Sequence, residues 1–277
     1  MLHDFKTAQP IEFYKHFLKE NVRPDGRELL KFRDALLNIG SINTARGSAL
    51  VRLGHTMVIC GISAELAEPK ATTPDKGFFV PNVDLPPSCS NKYRPGPPSD
   101  DAQILSQFVL DVATNSEVLK LENLCIATKK LAWVIYADIQ CISHDGNLKD
   151  AIIAALYAAL RNTKLPTVEY NEETADVQVK QDQLFQLPIQ TCPVSSTFAL
   201  FQDEILLADP TNEEEEISNG TITIVVNSEG KLCMVSKPGG AEMKEEKLKV
   251  CIRTALKRHA EVLSLVTTAL GEDEPVR

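Results

Sequence analysis

Residues 131–160 read LAWVIYADIQCISHDGNLKDAIIAALYAAL. The first half of this stretch places Leu131, Trp133, Ile135, Ala137, Ile139 and Cys141 on one side of an extended chain, the period-two pattern of a strand. His144-Asp145-Gly146-Asn147 breaks the pattern with residue types that tolerate a tight turn. Asn147 then stands where a helix cap would, with Asp150 three positions on. From Ala151 to Leu160 every residue is apolar or aromatic, so the helix has no solvent face and must be covered on several sides. A strand entering a helix through Asp-Gly is also a place where a fold holds phosphate, because unpaired backbone N–H groups point outward there.

The rest of the composition narrows the class. With 277 residues and a hydrophobic fraction of 43% the chain can bury a large core. A formal net charge of −9 argues against a free-standing nucleic-acid binder, whose surface is normally basic. Seven cysteines without a CxxC pair, several inside apolar runs, read as small core residues and predict a reducing compartment. The first residues lack an apolar leader, and the longest apolar run is the ten residues Ala151 to Leu160. The expectation is a soluble intracellular protein without a membrane span.

Outward from the central stretch, Pro10 to Glu20 predicts a short amphipathic helix carrying Ile11, Tyr14 and Leu18, packed on the outside. Arg23-Pro24-Asp25-Gly26-Arg27 is a rigid turn whose arginines tether it to acidic neighbours. Leu36 to Leu66 reads as hairpin strands bending at Gly40, Gly47 and Gly61, with a further short strand at Phe78 to Val83. Ser99 to Leu121 reads as a helix with an apolar stripe of Ile104, Leu105, Phe108, Val109, Val112 and Leu119. Pro166 to Ile189 is a polar excursion with brief strand runs. Two more hairpins follow, at Ser195 to Asp209 and Thr221 to Lys237. A last helix, from about Ala241 to Leu270, carries Leu248, Ile252, Leu256, His259, Leu263 and Val266 as its stripe. Hairpins followed by a helix, twice over, predict an α+β fold of pseudo-duplicated sheets with helices packed between and against them.

Few constellations carry chemistry. His144-Asp145 lacks further ligands at metal spacing, so no metal is expected there. Asp209-Pro210-Thr211-Asn212-Glu213-Glu214-Glu215-Glu216 concentrates carboxylates that suit a divalent cation or acid–base work, or simply form a solvated acidic loop. Lys92-Tyr93-Arg94 combines two cations with an aromatic, as an RNA-binding loop or as a solvated one. Nucleotide-binding, hydrolase and zincin motifs are missing, and no organic cofactor is expected.

The RPDGR turn, GSALVRLGHTMVICGISAE, the run Pro81-Asn82-Val83-Asp84-Leu85-Pro86-Pro87, HDGNLKDA with its apolar helix, and ADPTNEEEE together resemble the RNase PH-like subunits of the RNA exosome. The resemblance runs in order from about Pro10 to Leu270. It implies a division into an N-terminal helix and turn (1–30), a first RNase PH-like half (31–165), a connecting segment (166–194) and a second half with a long C-terminal helix (195–277). It also implies a hetero-oligomeric ring of such subunits under a cap of oligonucleotide-binding domains, RNA in a shared channel, no membrane, and residence in nucleus, nucleolus and cytoplasm. Active members are phosphorolytic 3′-to-5′ exoribonucleases that hold phosphate with a Thr-Arg pair directly after Asp-Gly-Gly. Here Asp145-Gly146-Asn147 is followed by Leu148 and Lys149, so a hydroxyl donor is lost and a bidentate guanidinium becomes a point charge. Active members also bind the RNA backbone with arginines on the first long helix, where this chain has Gln107 and Phe108. Asp209 and Glu215 keep the family's paired acidic spacing, but carboxylates without phosphate lack the nucleophile. The sequence thus predicts a catalytically silent ring subunit with a vestigial phosphate site at Asp145–Lys149 and a possible RNA contact at Lys92, Tyr93 and Arg94. The alternative is a phosphorolytic exoribonuclease in which Lys149 replaces the arginine.

Overall fold

The computed structural model describes residues 9–171, 176–202 and 204–271. Strand β6 (Leu131–Ser143) runs through the middle of the first sheet, antiparallel to β3 (Thr56–Ala67) and parallel to β4 (Phe78–Asp84). Outside β3 lie β2 (Gly47–Leu53) and β1 (Ala35–Ile39), and the short β5 (Cys125–Ala127) pairs with β6. The second sheet has the order β10 (Ile205–Ala208), β9 (Val194–Phe201), β11 (Gly220–Val226), β12 (Leu232–Ser236).

The apolar helix, α3 (Leu148–Arg161), lies between the sheets, on β2 and β3 on one side and β9 on the other. Its lack of a solvent face explains this position, and Ile152, Ile153, Leu156 and Leu160 are all fully buried. Gly47 is not a bend but a close approach: a Cβ there would lie 2.3 Å from the Thr163 hydroxyl and 2.7 Å from the Ala159 carbonyl oxygen. The halves share hairpin-then-helix order, yet differ in which hairpin strand is central. In the first sheet the second strand, β3, continues to β6; in the second, the first strand, β9, continues to β11.

Several sequence expectations shift. Helix α1 (Pro10–Lys19) buries Phe13, Tyr14 and Leu18 against Ala199, Phe201 and Leu207 of the second half, while Ile11 is exposed. Helix α2 (Asp100–Asn115), capped by the Ser99 hydroxyl, ends before Leu119 because Glu117 takes a positive φ; its Ile104 is 62% exposed and not in the core. The connecting segment forms a two-stranded hairpin, β7 (Lys164–Tyr170) and β8 (Val177–Gln186).

The acidic run is no solvated loop. It forms helix α4 (Asn212–Ile217) with a Thr211–Glu214 capping box, and Glu214 and Asp209 are buried. Helix α5 (Glu245–Leu270) buries Cys251, Ala255, Arg258, His259, Val262 and Val266; of the predicted stripe His259 and Val266 are buried, Leu248, Ile252 and Leu263 pack at the edge of the core, and Leu256 is exposed. Small Cys and Ala side chains let α5 sit close on β9 and β11. Among the described residues no helix is long and apolar enough to cross a membrane.

Candidate functional site

The turn between β6 and α3 rests directly on the segment between β10 and α4. Gly146 has φ +75°, and a Cβ there would lie 2.4 Å from the Thr211 carbonyl carbon and 2.5 Å from the Asn212 nitrogen. Backbone meets backbone, so only glycine fits. Asn147 and Asp209 face each other from left-handed conformations, φ +49° and +50°, which short polar side chains tolerate best.

Asp209 is 1% exposed and is held by Arg33. Its carboxylate accepts the Arg33 backbone N–H at 2.8 Å, Nε at 2.9 Å and Nη2 at 2.8 Å, and Asn147 Nδ2 at 2.5 Å. Burial by itself raises this carboxyl; the hydrogen bonds and charge of Arg33 outweigh it and bring the pKa down to about 2. Arg33 Nη1 also donates to the Asp145 carbonyl at 2.9 Å, tying the turn into the same knot. Next to it, buried Arg23 pairs with Glu214 and donates to the Ala208 and Asp209 carbonyls, and Arg27 pairs with Asp25 at 2.6 Å and Asp209 at 3.3 Å, so both arginines of the RPDGR turn tether it to acidic neighbours.

Asn147 does not cap α3 with its side chain. Its left-handed backbone turns the amide away from the helix, and Nδ2 instead bridges Asp150 at 2.8 Å and Asp209. Asp150 accepts the Thr197 backbone N–H and hydroxyl, both at 2.9 Å, and thereby staples the first turn of α3 to β9. Burial raises the Asp150 pKa in spite of these bonds. Leu148 is buried, and the Lys149 ammonium lies over the Phe108 ring at 5.1 Å, with its pKa lowered by burial.

In front of the knot is an open groove of about 330 Å³, lined among others by Tyr93, Asp101, Ile104, His144, Lys149 and Glu215. Glu215 accepts the Asn147 backbone N–H at 2.8 Å, and burial pushes its pKa up to about 7. At the rim, Lys92 Nζ contacts Glu216 and Asn212, each at 2.8 Å. Tyr93 packs edge-on against His144 at 6.1 Å, and Arg94 is exposed.

The structure therefore brings together Asp145, Gly146, Asn147, Leu148, Lys149, Asp209 and Glu215, with Lys92 and Tyr93 at their edge. Sequence reading missed Arg33 and Thr197. Their partners lie 176 and 47 residues away, and no local pattern marks them. Among the described residues no group of three or more His, Cys, Asp or Glu side chains is arranged to hold a metal ion.

The comparisons agree with this architecture. Residues 31–166 match the 3′ exoribonuclease family, domain 1, and residues 191–258 match domain 2 of the same family. The chain is 42% identical over 251 residues to the exosome complex component rrp43 of Schizosaccharomyces pombe, covering 91% of this chain and 93% of that protein. It is 38% identical over 259 residues to the exosome complex component Rrp42 of Pyrococcus furiosus, covering 94% and 93% respectively. A chain from the structure of the Archaeoglobus fulgidus exosome with RNA bound to the active site superposes with a TM-score of 0.82 at 31% identity, covering 92% of this chain and 96% of that one. With both domains matched and relatives covered nearly end to end, the chain belongs to the 3′ exoribonuclease family of RNase PH-like proteins.

Proposed function

We propose that this chain is a non-catalytic subunit of the ring of an RNA exosome, where it completes the ring and shapes the RNA path during 3′-to-5′ processing and degradation. The observation that carries this reading is the first turn of α3. Where the family resemblance asks for Thr-Arg, Leu148 is buried and Lys149 is engaged with the Phe108 ring. The carboxylates of Asp150 and Glu215 stand beside it. An anion entering there meets two carboxylates and loses the bidentate grip that a guanidinium gives. Without bound phosphate, phosphorolysis has no nucleophile.

Relatives named as exosome complex components support ring membership. So do apolar side chains left exposed on the free chain, Leu36, Ile104, Leu184 and Leu232, which suit burial against partners. The partners we infer are homologous ring subunits and oligonucleotide-binding cap proteins, in nucleus, nucleolus and cytoplasm. The test is to incubate the purified chain, then its reconstituted complex, with single-stranded RNA and inorganic phosphate, and separately with magnesium. No nucleoside diphosphate or monophosphate attributable to this chain is expected; release that Lys149→Ala abolishes overturns the reading.

A further inference from the structure

Two free thiols meet beneath the loop that carries Lys92, Tyr93 and Arg94. Cys141 is the last buried residue of β6, and Cys89 closes a turn in which its N–H donates to the Pro86 carbonyl at 3.0 Å. The His144 backbone N–H donates to the Cys89 carbonyl at 3.2 Å, which seats this turn on the end of β6. The Cys141 thiol lies 3.5 Å from the Ser143 carbonyl oxygen and in hydrogen-bond contact with the Cys89 thiol. Among the described residues, which include all seven cysteines, no other two thiols touch. Cys89 is 8% exposed and Cys141 1%, so a reagent from solvent reaches Cys89 first. Burial pushes both thiols up, but their mutual contact lowers Cys89 and raises Cys141. Cys89 is therefore the sulfur that gives up its proton, and Cys141 the thiol waiting beside it.

We propose that Cys89 and Cys141 form a reversible disulfide when the chain meets a peroxide, and that the bridge fixes the loop 89–94 on the end of β6. The Cys89 thiolate attacks one peroxide oxygen; the O–O bond breaks, the other oxygen leaves as water with the proton that Cys89 released, and Cys89 becomes a sulfenic acid. The Cys141 sulfur then attacks the Cys89 sulfur, the S–O bond breaks and a second water leaves with the Cys141 proton. Two thiols are oxidised by one electron each, and one peroxide is reduced to two waters. A dithiol reverses the bridge by exchange, and in a reducing medium the pair rests as thiols. The bridge needs sulfurs about 2 Å apart, nearer than a hydrogen-bonded contact. The side that yields is the turn 86–89, where Pro87 and Ser88 are exposed, because β6 is held by its paired neighbours. Tyr93 packs on His144 and Lys92 reaches Glu216, so a turn locked to β6 also holds the rim of the groove.

The reduced full-length chain is treated with hydrogen peroxide, its remaining thiols are alkylated, and it is digested without reductant for mass spectrometry. The expected product is one linked peptide pair, Cys89 to Cys141, with the other cysteines alkylated and the link removed by dithiothreitol. Cys141→Ala stops the reaction at a Cys89 sulfenic acid that dimedone traps, whereas Cys89→Ser gives neither the link nor an adduct at Cys141. Near-ultraviolet circular dichroism checks that each variant is folded, and the wild-type peptide map stands whether or not they are. Amide exchange of residues 89–94 is expected to slow about tenfold in the bridged chain. No linked pair in the folded chain, links scattered among the other cysteines, or a Cys89–Cys141 link that forms as fast in urea-unfolded chain overturns the disulfide. A bridged chain whose loop exchanges at the unbridged rate overturns the fixing of the loop.

Discussion

Asp209 and Glu215 belong to one short segment, carry the same charge and are both largely buried, yet they are driven in opposite directions. Asp209 shares its site with the Arg33 guanidinium and ionises at about 2; Glu215 has one backbone N–H and is pushed up to about 7. The difference is the presence of a cation in contact, which repays the loss of hydration for one carboxylate and not for the other. A pair of acids that sequence alone groups together is thus part of a structural knot on one side and of the wall of an open groove on the other.

The largest effect comes from breaking the knot. Arg33→Met leaves buried Asp209 with only the more distant Arg27 Nη1, 3.3 Å from Oδ2, and removal of one partner of a buried pair costs about 3–5 kcal/mol. Arg33→Lys keeps the charge but loses the fork that serves the two Asp209 oxygens and Asp145, so an intermediate loss is expected. Urea unfolding of the variants measures both. A loss under about 1 kcal/mol for Arg33→Met means that the knot does not hold the halves together.

A second effect sharpens the comparison through pH. The folded pKa of Asp209 lies below its ordinary 3.8, so its contribution, of order 2 kcal/mol, is present above about pH 4 and is lost as pH falls toward 2. Glu215 has the opposite sign. Its folded pKa lies above the ordinary 4.5, so the folded state keeps a proton that the unfolded state has released, and stability falls as pH rises from 4.5 to about 7. Lys92, Arg33 and Asp150 act on Glu215 across this window, and His144, whose pKa is lowered by burial, adds a trend of the other sign as pH drops through 6.5. Subtracting the stability profile of Glu215→Gln from that of wild type isolates Glu215. A flat difference between pH 4.5 and 7 contradicts the assignment.

Much of this is legible in the sequence. The alternation in Leu131–Cys141 locates β6, whose inward residues are buried while Asp138 and Gln140 face out, and the unbroken apolar run Ala151–Leu160 locates α3, because burial on several sides leaves no polar residue to interrupt it. The loss of Thr-Arg after Asp145-Gly146 is likewise visible in sequence. Arg33 was not, since a lone arginine before a strand has no periodic signature and its partner is brought in only by the fold. The seam of α5 is legible only in part, with His259 and Val266 in it, for a related reason. The large residues Leu248, Ile252 and Leu263 sit at the edge of the packed face and Leu256 outside it, whereas its centre uses Cys251, Ala255 and Arg258.

A smaller effect tests whether Asn147 belongs to the knot through its side chain or only through its backbone. Asn147→Gly removes the Nδ2 bridge between Asp150 and Asp209, at a cost of about 1–3 kcal/mol, while glycine relieves about 1 kcal/mol of left-handed strain. A net loss of about 1 kcal/mol in thermal or urea unfolding is expected. A net gain means that the two carboxylates gain nothing from the amide between them.

The smallest effect concerns the loop at the groove's rim and separates Lys92 from Arg94. Lys92 is tied to Glu216 and Asn212 of α4, so its charge is already largely compensated, whereas Arg94 is exposed. If the reconstituted complex carries RNA past this loop, Arg94 supplies one phosphate contact, and Arg94→Ala lowers the slope of log Kd against log salt by about one unit. Lys92→Ala removes a surface pair worth at most about 1 kcal/mol and leaves the slope nearly unchanged, because that ammonium faces carboxylate before RNA arrives. Equal slope changes for the two variants show that RNA competes Lys92 away from Glu216. An unchanged slope for both, in an intact ring, means that the loop packs on a neighbouring subunit and that RNA passes elsewhere.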